Sequence, residues 1–167
     1  MPDAENQKGP MRLSSVLAPG DILVGLEAAD KFQAMERLVD LLVSRKRIPP
    51  ACREKIIAAL KERERVKSTG MEFGVAIPHC STDESPDVIG ALGISRNGIP
   101  YDGPDGEKKD ILILLHTPRD KFQLHVRTLA SIARLLQNEA FRRALRAAKN
   151  AEEAHGVIQS FEAREGS

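Results

Sequence analysis

His79 is the residue around which chemistry can be built. It nearly closes the run Arg63-Glu64-Arg65-Val66-Lys67-Ser68-Thr69-Gly70-Met71-Glu72-Phe73-Gly74-Val75-Ala76-Ile77-Pro78-His79-Cys80. A neutral imidazole is a competent nucleophile near pH 7, because its unperturbed pKa lies near 6.5. Pro78 fixes its own φ and biases Ile77 toward extended backbone, so the chain entering His79 is restrained. Upstream, Gly70 and Gly74 break a loop whose backbone N–H groups can hold a phosphate. Ser68 and Thr69 add hydroxyls that either bond that phosphate or shape the turn. A restrained imidazole beside an anion-binding loop points to a histidine that takes up and hands on a phosphoryl group.

A second imidazole belongs to the same picture. His125, Leu129, Ile132 and Leu136 fall on one stripe of a helix predicted over 120–136, at the i, i+4, i+7, i+11 spacing of one face. His125 therefore points inward near the helix N-terminus, the end that favours anions. The other two histidines carry less. His116 ends an apolar run beside Thr117-Pro118 and reads as structural, and His155 reads as a surface residue. Arg63 stands among Lys61, Arg65 and Lys67, a pattern that is usually a solvated helix end.

The elements that must position these residues alternate strand and helix. Ile22-Leu23-Val24 reads as a first strand, and Asp30 as the N-cap of a helix over 31–44. Pro49-Pro50 opens a second helix that ends in the charged stretch from Lys61 to Arg65. Val88 to Ile94 reads as a strand, Asn97-Gly98 as a turn, and Ile99 to Tyr101 as an edge strand. Asp102-Gly103-Pro104-Asp105-Gly106 is another turn. Ile111 to Leu115 is apolar on both faces, as a central strand covered by helices on each side requires. Asn138 opens a fourth helix, and Asn150 with Glu153 caps a fifth. The pattern is that of an α/β domain.

Composition excludes several classes. The chain has 167 residues, 41% hydrophobic and 29% charged, with a formal charge of +1. That gives one soluble domain with no global field for polyanions. Trp is absent, and no aromatic residues interleave with the basic face formed by Arg142, Arg143, Arg146 and Lys149, so a nucleic-acid groove is not indicated. Cys52 and Cys80 read as free thiols, and no apolar run is long enough to cross a bilayer. A cytoplasmic protein without membrane insertion is expected. Cys80 beside His79 raises a zinc reading with His116 or His125, but adjacent His-Cys is not a usual ligand spacing. No metal and no cofactor are expected, and no Gly-x-Ser-x-Gly or Walker loop is present.

The combination of Ser68-Thr69-Gly70, Gly74-Val75-Ala76-Ile77-Pro78-His79 and Leu124-His125-Val126-Arg127-Thr128-Leu129-Ala130 resembles the enzyme IIA domains of the bacterial phosphotransferase system. The branch it is similar to is type 2, the fructose, mannitol and nitrogen-regulatory one. The resemblance implies a mixed β-sheet with helices packed on both faces, a three-layer sandwich over residues 13–161, with tails at 1–12 and 162–167. It also implies that His79 accepts the phosphoryl group from a histidine phosphocarrier protein and passes it to an enzyme IIB-type domain. His125 would hydrogen-bond the phosphate, Arg63 would balance its charge, and Ser68, Thr69, Gly70 and Gly74 would line the phosphate loop. One departure is Glu72, where the family often has glycine; a carboxylate there can repel a dianion if it faces the site. A rival expectation is a regulatory module of the nitrogen type, in which phosphorylation controls binding to a regulatory protein. A metal hydrolase is a third, and would require stoichiometric zinc.

Overall fold

The structure is a computed structural model and describes residues 11–165. A short helix α1 (Leu13–Val16) and a 3₁₀ turn (Pro19–Asp21) lead into β1 (Ile22–Val24) and α2 (Lys31–Ser44). A second 3₁₀ turn (Pro50–Cys52) feeds α3 (Arg53–Val66), followed by β2 (Val75–Ala76), β3 (His79–Thr82), β4 (Ile89–Ile99) and β5 (Lys109–Pro118). Three helices close the chain: α4 (Phe122–Gln137), α5 (Glu139–Ala147) and α6 (Ala151–Glu165).

Strand β5 is the hub. It pairs antiparallel with β4 and parallel with both β2 and β3, and β1 lies parallel on the far side of β4. Alternation along β5 divides the core between two faces, because successive side chains of a strand point to opposite sides. Ile111, Ile113 and Leu115 pack with residues of α1, α4, α5 and α6, whereas Leu112 and Leu114 pack with α2 and α3. The expected mixed sheet with helices on both faces is what the chain forms. Polar caps set several helix starts. Asp30 accepts from Gln33 N at 2.8 Å, Asn138 from Ala140 N and Phe141 N, and Asn150 from Glu153 N at 2.8 Å.

Three features differ from the sequence expectations. Asn97-Gly98 is not a turn but an irregularity inside β4, where the register shifts between Ile94 and Ile99 and Gly98 has φ +77°. A glycine in the left-handed region suits such a bulge as well as it suits a turn. Ile99 is accordingly the last residue of β4, paired with Lys109, and not part of a separate edge strand. Finally, α6 runs to Glu165, past the expected start of a tail at 162. Glu162 accepts from the backbone N–H groups of Leu13 and Ser14, so it joins the last helix to the first. The expected tail residues 1–10 and 166–167 lie outside the described residues, while Met11 packs against the core.

Candidate functional site

Strands β2 and β3 keep one register along β5, Val75 opposite Ile111 and His79 opposite Leu115. Pro78 interrupts them without displacing the chain, and its carbonyl still accepts from Leu115 N at 3.0 Å. His79 is thereby carried on a strand, half-buried, at a fixed place on the sheet. Its Nδ1 lies 2.7 Å from Ile77 O. A carbonyl only accepts, so Nδ1 carries the proton and Nε2 keeps the lone pair. Burial lowers the His79 pKa, and Arg63 adds to the effect; the Ile77 carbonyl and the Glu64 carboxylate oppose it.

The first turn of α4 delivers the second imidazole. The His79 and His125 rings stand 5.4 Å apart between centroids, tilted by 51°. His125 is only 8% exposed, and its Nδ1 is buried without a hydrogen-bond partner. Burial first, then His79, His116 and Arg63, push its pKa down to about 4. Arg63 comes from the last turn of α3, where its Nη1 donates to Lys67 O at 2.8 Å and its charge is felt by both histidines. The structure therefore gathers His79, His125 and Arg63 from three separated segments. Exposed apolar side chains lie close by in the chain: Val66 after Arg63, and Phe122 and Val126 on either side of His125.

The stretch expected to form a phosphate loop is tied to the rest of the protein by several hydrogen bonds. Residues 69–77 fold back as a tight hairpin, with Met71 N donating to Val75 O and Ile77 N to Thr69 O. Thr69 is buried, and both its N–H and its hydroxyl bond the Glu64 carboxylate. Ser68 Oγ donates to Asp102 O and accepts from Gly70 N. These donors bond within the protein. Gly74 (φ +79°) lies at the far end of the hairpin beside Arg146 and Asp110. Four extended residues lie between it and His79, five Cα steps that span about 16 Å. In this arrangement Ser68, Thr69 and Gly70 bond within the protein, and Gly74 lies at the hairpin tip. Glu72 is exposed at the same hairpin tip.

Gly70 has a steric reason to be glycine. A Cβ there would stand 1.9 Å from Asp102 O and 3.0 Å from the Tyr101 ring. Gly70→Ala should cost about 2–3 kcal/mol of stability, because backbone must move to admit the methyl group. Urea denaturation would read the change.

The remaining candidates fall into structural roles. His116 is fully buried with Nε2 2.7 Å from Thr82 Oγ1, and burial lowers its pKa. His155 is half-buried and bonds Leu17 O. The basic face of α5 is not simply solvated. Arg142 is buried against Leu136 O and stacks on Phe73 at 4.5 Å, and Arg146 pairs with Asp110. Cys80 is buried, with its thiol pKa pushed up to about 12. Among the described residues, no group of three His, Cys, Asp or Glu side chains converges as a metal site. No described helix is long and apolar enough to cross a membrane. Glu64 is the site-supporting residue that the sequence reading left without a role. Its signal was the phase of α3: Ile57, Leu60 and Glu64 share the buried stripe, so a carboxylate occupies an apolar position.

Residues 15–161 match the family described as the phosphoenolpyruvate-dependent sugar phosphotransferase system, EIIA 2. The chain belongs to that family. It is 31% identical over 160 residues to the nitrogen regulatory protein of Escherichia coli K12, covering 94% of this chain and 95% of that one. Among solved structures, the nitrogen regulatory protein IIA-Ntr of Neisseria meningitidis superposes with a TM-score of 0.79 at 25% identity, over 87% of this chain and 98% of that one. The complex of enzyme IIA mannitol with phosphorylated enzyme IIB mannitol from E. coli contains a similar fold, with a TM-score of 0.70 at 18% identity over 86% and 97% of the two chains. The protein is a phosphotransfer component of the type-2 IIA class, a class that includes both nitrogen-regulatory and sugar-specific members.

Proposed function

We propose that His79 is the phosphoacceptor, charged by a histidine phosphocarrier protein and discharged to an enzyme IIB-type domain or a regulatory protein in the cytoplasm. The observation that carries this reading is the His79–His125 pair at 5.4 Å, with Nδ1 of His79 fixed by Ile77 O. Nε2 attacks phosphorus in line; the Nε2–P bond forms as the donor's N–P bond breaks, and the donor nitrogen takes back the electron pair. The positive charge on the ring is met by the Ile77 carbonyl at Nδ1–H. His125 hydrogen-bonds the transferred group, and Arg63 offsets its charge, so alignment and electrostatics supply the catalysis. Neither metal nor cofactor takes part in this reaction. Val66, Phe122 and Val126 offer the apolar contact that a docking carrier needs. Phosphorus and proton NMR of the chain incubated with phosphoenolpyruvate, enzyme I and the carrier should place phosphate on Nε2 of His79. Phosphate found on Nδ1, or on another residue, would defeat the reading.

The relatives named as nitrogen regulatory proteins favour a regulatory output for the same chemistry. Its mark would be a partner outside the phosphoryl chain, retained by only one of the phosphorylated and unphosphorylated forms.

A further inference from the structure

Hydrogen bonds joined through the backbone of Thr69 and Ile77 link a buried carboxylate to the reactive imidazole. Glu64 is 2% exposed, and its two oxygens accept from Thr69 N at 3.1 and 2.9 Å, from Thr69 Oγ1, and from Tyr101 OH at 3.0 Å. Lys31 Nζ lies 3.4 Å away and also bonds Asp102 at 2.6 Å. On its other side Thr69 accepts, through its carbonyl, from Ile77 N at 3.2 Å. The carbonyl of Ile77 in turn holds Nδ1 of His79 at 2.7 Å. Carboxylate, threonine, peptide and imidazole are therefore joined link by link.

A buried charge is costly unless it is fully bonded, and removing a partner exposes that cost. Stability alone does not account for the arrangement, since an apolar residue at the same place on α3 would continue the Ile57 and Leu60 stripe. The carboxylate instead anchors the segment on which both His79 and the Arg63 acceptor, Lys67 O, depend. We propose that Glu64 is a positioning residue for His79, acting through Thr69 and the Ile77 peptide to hold Nδ1–H and aim Nε2 at the incoming phosphorus. This rests on the phosphoacceptor reading above, and gives that reaction a residue that never touches phosphate.

The test uses the full chain carrying Glu64→Gln, with Thr69→Val and Thr69→Ser, and Asn138→Ala as a remote destabilised control. Nitrogen chemical shifts of the His79 ring report its tautomer without any donor present. Steady-state transfer from the carrier reports kcat and KM separately. Glu64→Gln and Thr69→Val should each mix the two His79 tautomers and lower kcat at least about tenfold, with KM changed less than about twofold. Thr69→Ser keeps the hydroxyl and should restore both readouts, whereas Asn138→Ala should lose stability alone. The groups whose charge reaches the histidine pair are Arg63 and Glu64 of α3, the two imidazoles themselves, and His116 of β5. Because Glu64 opposes the effect of burial at His79, Glu64→Gln should also move that pKa further down. A folded Glu64→Gln chain with wild-type tautomer and kcat would overturn the proposal. If Glu64→Gln does not fold, Thr69→Val decides alone by the same criterion. Should no residue label in the wild type, the phosphoacceptor reading fails, while the tautomer measurement still judges Glu64.

Discussion

Replacing His79 with alanine is expected to reduce phosphoryl incorporation to background. No other side chain in the described structure can take over the attack. His125 sits beside it, but it is 8% exposed and its pKa lies near 4, so it is a weakly basic and poorly accessible nucleophile. His116 has no exposed surface, and its Nε2 is bonded to Thr82. The Cys80 thiol is buried, and its pKa of about 12 leaves almost no thiolate at neutral pH. His155 is half-buried on α6, with Nε2 3.2 Å from Leu17 O. Loss of the nucleophile therefore removes the covalent step itself, an effect of at least about a thousandfold. Acid-labile labelling from phosphoenolpyruvate through enzyme I and the carrier measures it; full labelling of His79→Ala would dismiss the assignment.

The second large effect concerns His125. His125→Ala should leave His79 able to attack but slow transfer by about a hundredfold or more, the usual cost of removing one preorganised donor at a developing charge. The same residue shapes the stability profile in acid. Its folded pKa of about 4 lies below the ordinary 6.5, so the folded chain resists protonation there. The unfolded chain takes up the proton as pH falls through 6.5, and the folded chain does so only near 4. The stability gained by keeping the ring neutral is complete above about pH 7 and lost progressively between 6.5 and 4, at most about 3 kcal/mol. Urea midpoints of wild type should drop more steeply across that window than those of His125→Gln. Parallel curves would show that the ring is not held neutral by the fold.

Much of this site is legible in the sequence because its causes are local. Pro78 restrains His79 whatever surrounds it, and the helical period alone turns His125 inward. Asp30, Asn138 and Asn150 mark helix starts through bonds spanning two or three residues. What escapes the sequence is decided by distant backbone. Gly70 and Gly74 look alike as residues, yet one is required by the carbonyl of Asp102 and the other by a left-handed φ at a hairpin tip. Neither fact follows from the loop's composition. Asn97-Gly98 carries the signature of a turn, but pairing of Ile99 with Lys109 across the sheet makes it a bulge. Glu64 was hidden within a run of charges, where only its phase with Ile57 and Leu60 separates it from its solvated neighbours.

The fold-back of residues 69–71 on residues 75–77 has a consequence for the chain's behaviour in a crowd. Strands β2 and β3 form one border of the sheet, where open N–H and C=O groups would invite pairing with another molecule. Thr69 and Met71 occupy those groups on Ile77 and Val75, and Pro78 offers no donor at the next position. The opposite border, β1, is three residues long. The segment that leads into His79 thus also covers the β2 part of that border, and a mutation that frees it should lower solubility.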